Sequence, residues 1–133
     1  MKIENNKEFI MKNCLKVFTI LALVALLFTA CGEKTTVYTA QTGYQGVTIQ
    51  FIFNGDGTFV ERSVITILDS TTITDWYKGT YSGDPKKDGP LSLTFTHEFD
   101  DDSNAYVAMT SVTVPVTVSN GQFTFGTYTF SRN

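Results

Sequence analysis

The densest group of side chains that could ligate a metal is the segment THEFDDDSN, which contains the chain's single histidine, His97. Glu98 and the aspartates at 100–102 supply carboxylate oxygens, the ligands that calcium prefers. Their spacing matches no calcium-loop pattern, and one imidazole offers a zinc ion only one nitrogen. We therefore predict a solvated loop between two strands, with no bound metal or cofactor.

The sequence contains no arrangement typical of an enzyme active site. It has no second histidine, no G-x-S-x-G motif and no phosphate-binding loop. The segment NGDGT at 54–58 resembles half of a calcium loop but lacks the distal glutamate, so a hairpin turn is the better interpretation. We predict that the protein is not an enzyme.

An apolar stretch near the N-terminus predicts export. VFTILALVALLF, residues 17–28, follows a segment that holds four lysines. This order of a basic and an apolar region is typical of a secretory signal peptide. The twelve residues of the stretch are well short of the roughly 20 that a membrane-spanning helix needs. We expect a removable signal and not a permanent span.

The apolar stretch ends in Phe28-Thr29-Ala30-Cys31, which is a bulky apolar residue and two smaller ones before a cysteine. This tetrapeptide resembles the lipobox of bacterial lipoproteins, with phenylalanine where leucine is most usual. The resemblance implies that the Cys31 thiol receives a diacylglyceryl group, that the chain is cut just before it, and that palmitate-like acyl chains anchor the protein stably. An ordinary secretion signal with an incidental cysteine is the alternative.

This processing sets the expected boundaries of the protein. We predict a removed signal peptide over 1–30, a lipidated N-terminus with a tether or first strand over 31–44, and a β-barrel domain over 45–133. Translation from Met11 would give a more typical lipoprotein precursor. The expected location is the bacterial cell envelope, where the lipid on Cys31 holds the domain at the periplasmic or cell-surface face of a membrane.

The chain downstream of residue 30 is acidic and has no disulfide. Cys14 leaves with the signal and Cys31 is consumed by lipid, so stability must come from packing. Six basic residues stand against eleven acidic ones, a net charge of −5 where the full chain has −3. An acidic domain without a basic stripe argues against nucleic-acid binding and against electrostatic docking on anionic lipid.

Period-two alternation predicts strands through most of the remaining chain. In VTIQFIF, residues 47–53, Ile49 and Phe51 share one face and Gln50 lies on the other. Short connections and the lack of a helical period favour an all-β antiparallel fold. The predicted strands are 35–41, 47–53, 58–68, 72–82, 91–98, 105–119 and 122–131, seven in all, or eight if the sixth bends near Thr110.

Two positions predict irregularities in this sheet. Pro115, within VTVPVTV, has no N–H for a ladder hydrogen bond, so its strand should lie at an edge or contain a bulge. In QFTFGTYTF the apolar side chains change parity across Gly126. One extra residue would restore the alternation, so we predict a β-bulge there.

Three segments resemble the small lipocalin-like barrels of bacterial lipoproteins: FIFNGDGTF, WYKGTYSGDPKKDGPLSLTF and FTFGTYTFSR. In those proteins a turn-rich hairpin, a Gly-Thr-Tyr strand and a final Phe-rich strand ending in a basic residue line a compact barrel. The resemblance covers most of 45–132 and implies a small antiparallel up-and-down barrel of seven or eight strands. A β-sandwich is the alternative fold.

The aromatic residues are the main candidates for a binding site. Trp76 and Tyr77 are neighbours in a predicted strand, so they should point to opposite faces, and one should meet solvent or a cavity. A barrel of this size also needs large side chains simply to fill it. The alternative is a small-ligand pocket lined by some of Tyr77, Tyr81, Phe95 and Tyr106.

Together these patterns predict a membrane-anchored, noncatalytic binding module of the cell envelope that holds a small apolar ligand. The alternative is a structural or protein-interaction lipoprotein, which would meet an envelope protein through its outer surface or through the edge near Pro115. A hydrolase or metalloenzyme is the third and weakest hypothesis.

Overall fold

Eight antiparallel strands form one continuous sheet in the computed structural model, which describes residues 34–133. The predicted signal peptide and the lipidation site at Cys31 lie outside the described residues. The strands are β1 Thr36–Gln41, β2 Val47–Phe53, β3 Thr58–Ile67, β4 Ser70–Ser82, β5 Gly89–Asp100, β6 Ala105–Val118, β7 Gln122–Phe125 and β8 Tyr128–Arg132.

The strand order is β6-β5-β4-β3-β2-β1-β8-β7. It is the order of an up-and-down barrel in which β8 returns to pair with β1, and the ring is opened between β6 and β7. Among the described residues, the Ser119–Gln122 bridge joins those two edges at the turn between them. The all-β antiparallel barrel prediction is confirmed, and a single continuous sheet is not the two-sheet arrangement of a sandwich.

The turns alternate between two ends of the sheet. We call the end where the described chain starts at Lys34 and finishes at Asn133 the proximal end; it also holds the β2–β3, β4–β5 and β6–β7 turns. The distal end holds the other four turns. Because the Ser119–Gln122 bridge lies at the proximal end, the described barrel closes there and opens between β6 and β7 toward the distal end.

Aromatic side chains fill the inner face of the sheet. Phe51 is fully buried at the centre. Its ring centroid lies 4.9 Å from that of Phe130, 5.4 Å from Phe125 and 5.6 Å from Phe123, all edge-on. Edge-to-face pairs of this kind stabilise a core beyond the burial of their area. Strands distant in the sequence are therefore held together through one ring.

The final predicted strand, 122–131, is two strands, and the bulge prediction at Gly126 is wrong. Phe125 pairs with Tyr128 across a two-residue turn, and Gly126 has φ 59° at the first turn position. Glycine at that position is typical of a II′ hairpin. The change of parity therefore comes from a reversal of the chain, which supplies the eighth strand, while β6 continues past Thr110.

The edge prediction for Pro115 is confirmed. Pro115 lies in β6, opposite Ser92 of β5, and β6 is the terminal strand of the sheet. A residue without an N–H is tolerated in a terminal strand, because one side of that strand makes no ladder hydrogen bonds.

Candidate functional site

Toward the distal end the inner face changes from a buried core to a partly exposed apolar surface. Side chains from five different strands pack on the core there and stay only partly buried. We call this set the distal rim: Ile49, Tyr77, Met109, Phe125 and Tyr128. Phe125 and Tyr128 flank the distal β7–β8 turn, next to the opening between β6 and β7.

Ring contacts connect the distal rim to the core. The ring centroid of Phe95 lies 5.8 Å from that of Tyr77 and 5.5 Å from that of Phe125. Phe95 itself is 6% exposed. The rim is therefore an apolar surface continuous with the buried core.

A carboxyl group shares this inner face. Glu61 lies directly opposite Phe51 on β2 and opposite Tyr77 on β4, and residues opposite each other in an antiparallel pair lie on one face. Burial raises the pKa of Glu61 to about 7. Glu61 was not among the residues predicted from the sequence, although its two-residue spacing from Phe59 places both side chains on the same face.

Trp76 also belongs to the inner face, contrary to the prediction from alternation. Tyr77 pairs with Glu61 and Asp75 with Arg62, so Trp76 is an extra residue in a β-bulge. Its Nε1 donates to Ser63 Oγ at 3.0 Å, and Ser63 is two residues from Glu61 in a regular stretch of β3. The bulge interrupts the alternation, and Trp76 lies beside the distal rim with 40% of its surface exposed.

The four sequence-predicted ligand residues do not form one group. Tyr77 and Phe95 are in contact at the distal rim. Tyr81 lies toward the proximal end, where its hydroxyl donates to the Asn54 carbonyl at 2.6 Å and its ring packs edge-on against Phe53.

Tyr106 lies on the outer face. Lys78 follows Tyr77 in β4 and so points outward, and its ammonium lies 3.7 Å from the centroid of the Tyr106 ring. The Arg62–Asp75 ion pair, 2.8 Å long, occupies the same face. Burial, assisted by the negative charge of Asp75, raises the pKa of Tyr106 to about 12. These contacts give Tyr106 a structural environment separate from the rim.

The acidic segment after His97 forms and stabilises the β5–β6 turn. The Asp100 carboxylate accepts hydrogen bonds from the backbone N–H groups of Asp102, at 3.4 Å, and Ser103, at 3.2 Å. Hydrogen bonds from Ser103 hold the pKa of Asp100 below its ordinary value. Within residues 34–133, no three histidine, cysteine, aspartate or glutamate side chains come together as metal ligands would.

No helix in the described part of the chain is long and apolar enough to cross a bilayer. Comparison with known protein families, with curated proteins and with solved structures finds no match.

Proposed function

We propose that this chain is a membrane-anchored lipoprotein of the bacterial cell envelope whose β-domain is a noncatalytic binding module for a small apolar ligand. The observation that carries the proposal is the distal rim, where aromatic and aliphatic side chains of five strands stay partly exposed at the open end of the barrel. Apolar walls with few polar groups are typical of small-molecule sites.

Glu61 supplies the polar group of this proposed site. Its carboxyl lies in the same row as Tyr77 on the inner face, and with a pKa of about 7 it both donates and accepts hydrogen bonds near neutrality. An apolar molecule that carries one N–H or O–H group fits this combination, because the group would pair with the carboxyl while the remainder covers the rim.

Trp76 allows this site to be tested by fluorescence, because it is the single tryptophan of the chain and lies beside the rim. The probe is N-phenyl-1-naphthylamine, an apolar molecule with one N–H group that absorbs where tryptophan emits. We expect the probe to quench Trp76 in the full chain with saturation. Tyr77→Ala should weaken binding about tenfold, the factor that the loss of one large apolar contact gives.

Tyr106→Ala is the matched control, since it removes the same side chain from the outer face. It should leave the quenching curve unchanged. Equal weakening by both substitutions, or quenching that does not saturate, would contradict a ligand site at the distal rim.

The lipid anchor is tested by mass and location. We expect wild-type protein to sediment with membranes, to begin at Cys31 and to carry the added mass of acyl chains. Cys31→Ser should stay uncut or appear in the soluble fraction. Wild-type protein that is soluble and unmodified at Cys31 would contradict the lipoprotein assignment.

A protein-interaction lipoprotein is the second candidate, favoured by exposed apolar side chains in the distal turns and at the end of β3 beside them. Leu68 is 95% exposed, Tyr44 77% and Ile67 64%. Near the end of β3, Thr66 donates its N–H to the carbonyl of Gly46 in the β1–β2 turn at 2.7 Å. Native mass spectrometry of protein from its source separates the two candidates: a co-purified small molecule favours the rim, and a stoichiometric protein favours the turns.

A further inference from the structure

Glu61 is an acidic residue on the inner face that has no positively charged partner among the described residues. The ion pairs within residues 34–133 are Arg62–Asp75 and Lys87–Asp84. Burial is the one cause that raises the pKa of Glu61, so neither a cation nor a hydrogen-bond donor in this part of the chain stabilises its charged form. A cation that comes from outside the chain would stabilise it.

The basic side chains nearest to Glu61 along the strands lie on the outer face. Arg62 follows Glu61 in β3 and pairs with Asp75 at 2.8 Å. Lys78 of β4 lies over the ring of Tyr106, with its ammonium 3.7 Å from the ring centroid. The remaining basic residues of the described chain lie at the proximal end: Lys34, Lys86, Lys87 and Arg132. The inner face around Glu61 therefore carries no basic side chain of the described chain.

A second carboxyl lies in the same row of the inner face. Tyr77 of β4 is opposite Glu61 on one side and opposite Glu98 of β5 on the other, so the two acids flank its ring. Glu61 is partly buried and Glu98 is exposed. Val107 of β6 continues the row and is 37% exposed. The row therefore runs from the core to the opening between β6 and β7, and a molecule that enters there meets both carboxyls.

Aromatic rings accompany these acids. Trp76 donates to Ser63 Oγ at 3.0 Å, which holds the indole beside Glu61 and Tyr77 on the inner face. The face of an aromatic ring attracts a cation, and a carboxylate makes its strongest hydrogen bonds to charged donors. Rings and carboxyls together therefore favour a positively charged group over a neutral hydroxyl.

The charges around the distal end have the same sign as these carboxyls. The distal turns carry Asp69, Asp101 and Asp102, and none of the six basic residues of the described chain lies in them. A surface of one charge sign raises the local concentration of ions of the opposite sign. Cations are therefore attracted to the open end of the barrel before any contact forms.

We propose that the distal rim binds a small apolar ammonium ion, a molecule with one protonated amine on an otherwise apolar body. This inference rests on the ligand site proposed at the rim and specifies the charge of its ligand. The ammonium donates to the Glu61 carboxylate, Glu98 adds negative charge nearer to solvent, and the apolar body covers the rim.

Binding of the ammonium should release a proton from Glu61 below neutral pH. With a pKa of about 7, the carboxyl is mostly protonated at pH 6, and a bound cation favours its charged form. We expect release of nearly one proton for each ligand bound at pH 6 and almost none at pH 8.5. The other titratable groups of the rim and its row are Tyr77, Glu98 and Tyr128.

The test is calorimetric titration of the full chain with two probes that share one aromatic body. 1-Naphthylmethylamine is an ammonium ion at the pH of the experiment, and 1-naphthalenemethanol is its neutral counterpart. At pH 8 we expect the ammonium to bind about tenfold more tightly, the factor that one hydrogen bond between charged groups gives. Glu61→Gln should remove this preference and leave the affinity for the alcohol unchanged.

Proton release is measured at pH 6 in two buffers of different ionisation enthalpy. Glu61→Gln should abolish the release, whereas Glu98→Gln should retain it. Asp101→Asn is the control for charge, because it removes one carboxylate from a distal turn. It should leave the proton release intact and change the affinity for the ammonium less than about twofold.

The outcomes separate this inference from the proposed function. Equal affinities of the wild-type protein for the two probes would overturn the ammonium ligand and leave the rim as a site for neutral apolar molecules. Failure of both probes to bind would overturn the ligand site as well. A preference for the ammonium that survives Glu61→Gln would place the cation elsewhere and overturn the role of Glu61.

Discussion

Phe51 and Glu61 lie directly opposite each other on β2 and β3, so a carboxyl group shares the inner face with the ring at the centre of the aromatic core. An acid in this position conflicts with apolar packing, because burial penalises its charged form. Local conflicts of this kind are expected at functional sites. The position of Glu61 thus supports the distal rim as a binding surface.

Glu61→Gln should stabilise the protein at alkaline pH. The folded chain holds the Glu61 proton up to about pH 7, whereas the ordinary pKa is 4.5. The protein is therefore destabilised as the pH rises from 4.5, the ordinary pKa, to about 7, the pKa in the folded chain. Above that pH the loss of stability is complete. We expect equal urea unfolding of wild type and variant at pH 4, and at pH 9 a gain of about 2 to 3 kcal/mol in the variant.

Glu98→Gln is the control. Glu98 of β5 also lies opposite Tyr77, but unlike Glu61 it is exposed. It should give no comparable gain at either pH. A Glu61→Gln protein less stable than wild type at pH 9 would show that the charged carboxylate has a stabilising partner.

Phe51→Ala should be among the most destabilising substitutions in the domain. It leaves a cavity at the contact point of several rings, for which about 3 to 5 kcal/mol is typical. Gln50→Ala, on the opposite face of β2, should change the free energy of unfolding by about 0.5 kcal/mol or less. The reverse order in chemical denaturation would mean that the register of β2 is shifted by one residue.

Much of the fold could be predicted from the sequence because period two is a local property. Val47–Phe53 was predicted with its observed bounds. Turns were harder to predict, because the same short motif adopts different conformations. Gly-Thr-Tyr starting at Gly79 continues a strand, whereas Gly-Thr-Tyr starting at Gly126 forms a turn. The two glycines differ in the residues packed around them, and this packing cannot be predicted from the local sequence.

Gly79→Ala tests this packing. Gly79 is buried where β4 and β5 shift register, and an added Cβ would meet the Thr94 carbonyl oxygen and the ring of Phe59. The Thr94 carbonyl is part of the backbone and cannot move aside to relieve the clash. We therefore expect the free energy of unfolding in urea to fall by about 1 to 3 kcal/mol. Ser82→Ala, at an exposed position of the same strand, should stay within about 0.5 kcal/mol. A tolerated Gly79→Ala would mean that the strands separate more easily than their pairing indicates.

The candidate sites were less predictable than the strands. Alternation predicted opposite faces for Trp76 and Tyr77, but the bulge at Trp76 depends on pairing with β3 and brings the indole to the same face as Tyr77. A cleft at the proximal end is lined by Lys34, Lys86 and Arg132, which come from the start, middle and end of the described chain. Pairing of β1 with β8 brings the start and the end of the described chain together.

Leu68→Asn should stabilise the protein although it removes a large apolar side chain. Leu68 has φ 53° in the turn between Ile67 and Ser70 and is 95% exposed, so it bears left-handed strain and contributes little burial. Asparagine tolerates this conformation, and relief of about 1 kcal/mol is expected in urea unfolding. Ile67→Asn, exposed but within β3, should give no gain. An unchanged or lower stability of Leu68→Asn would show that the leucine is not strained.

If the distal turns bind a protein, the stabilised variant should also lose that partner in native mass spectrometry, which would separate a binding role for Leu68 from a folding role.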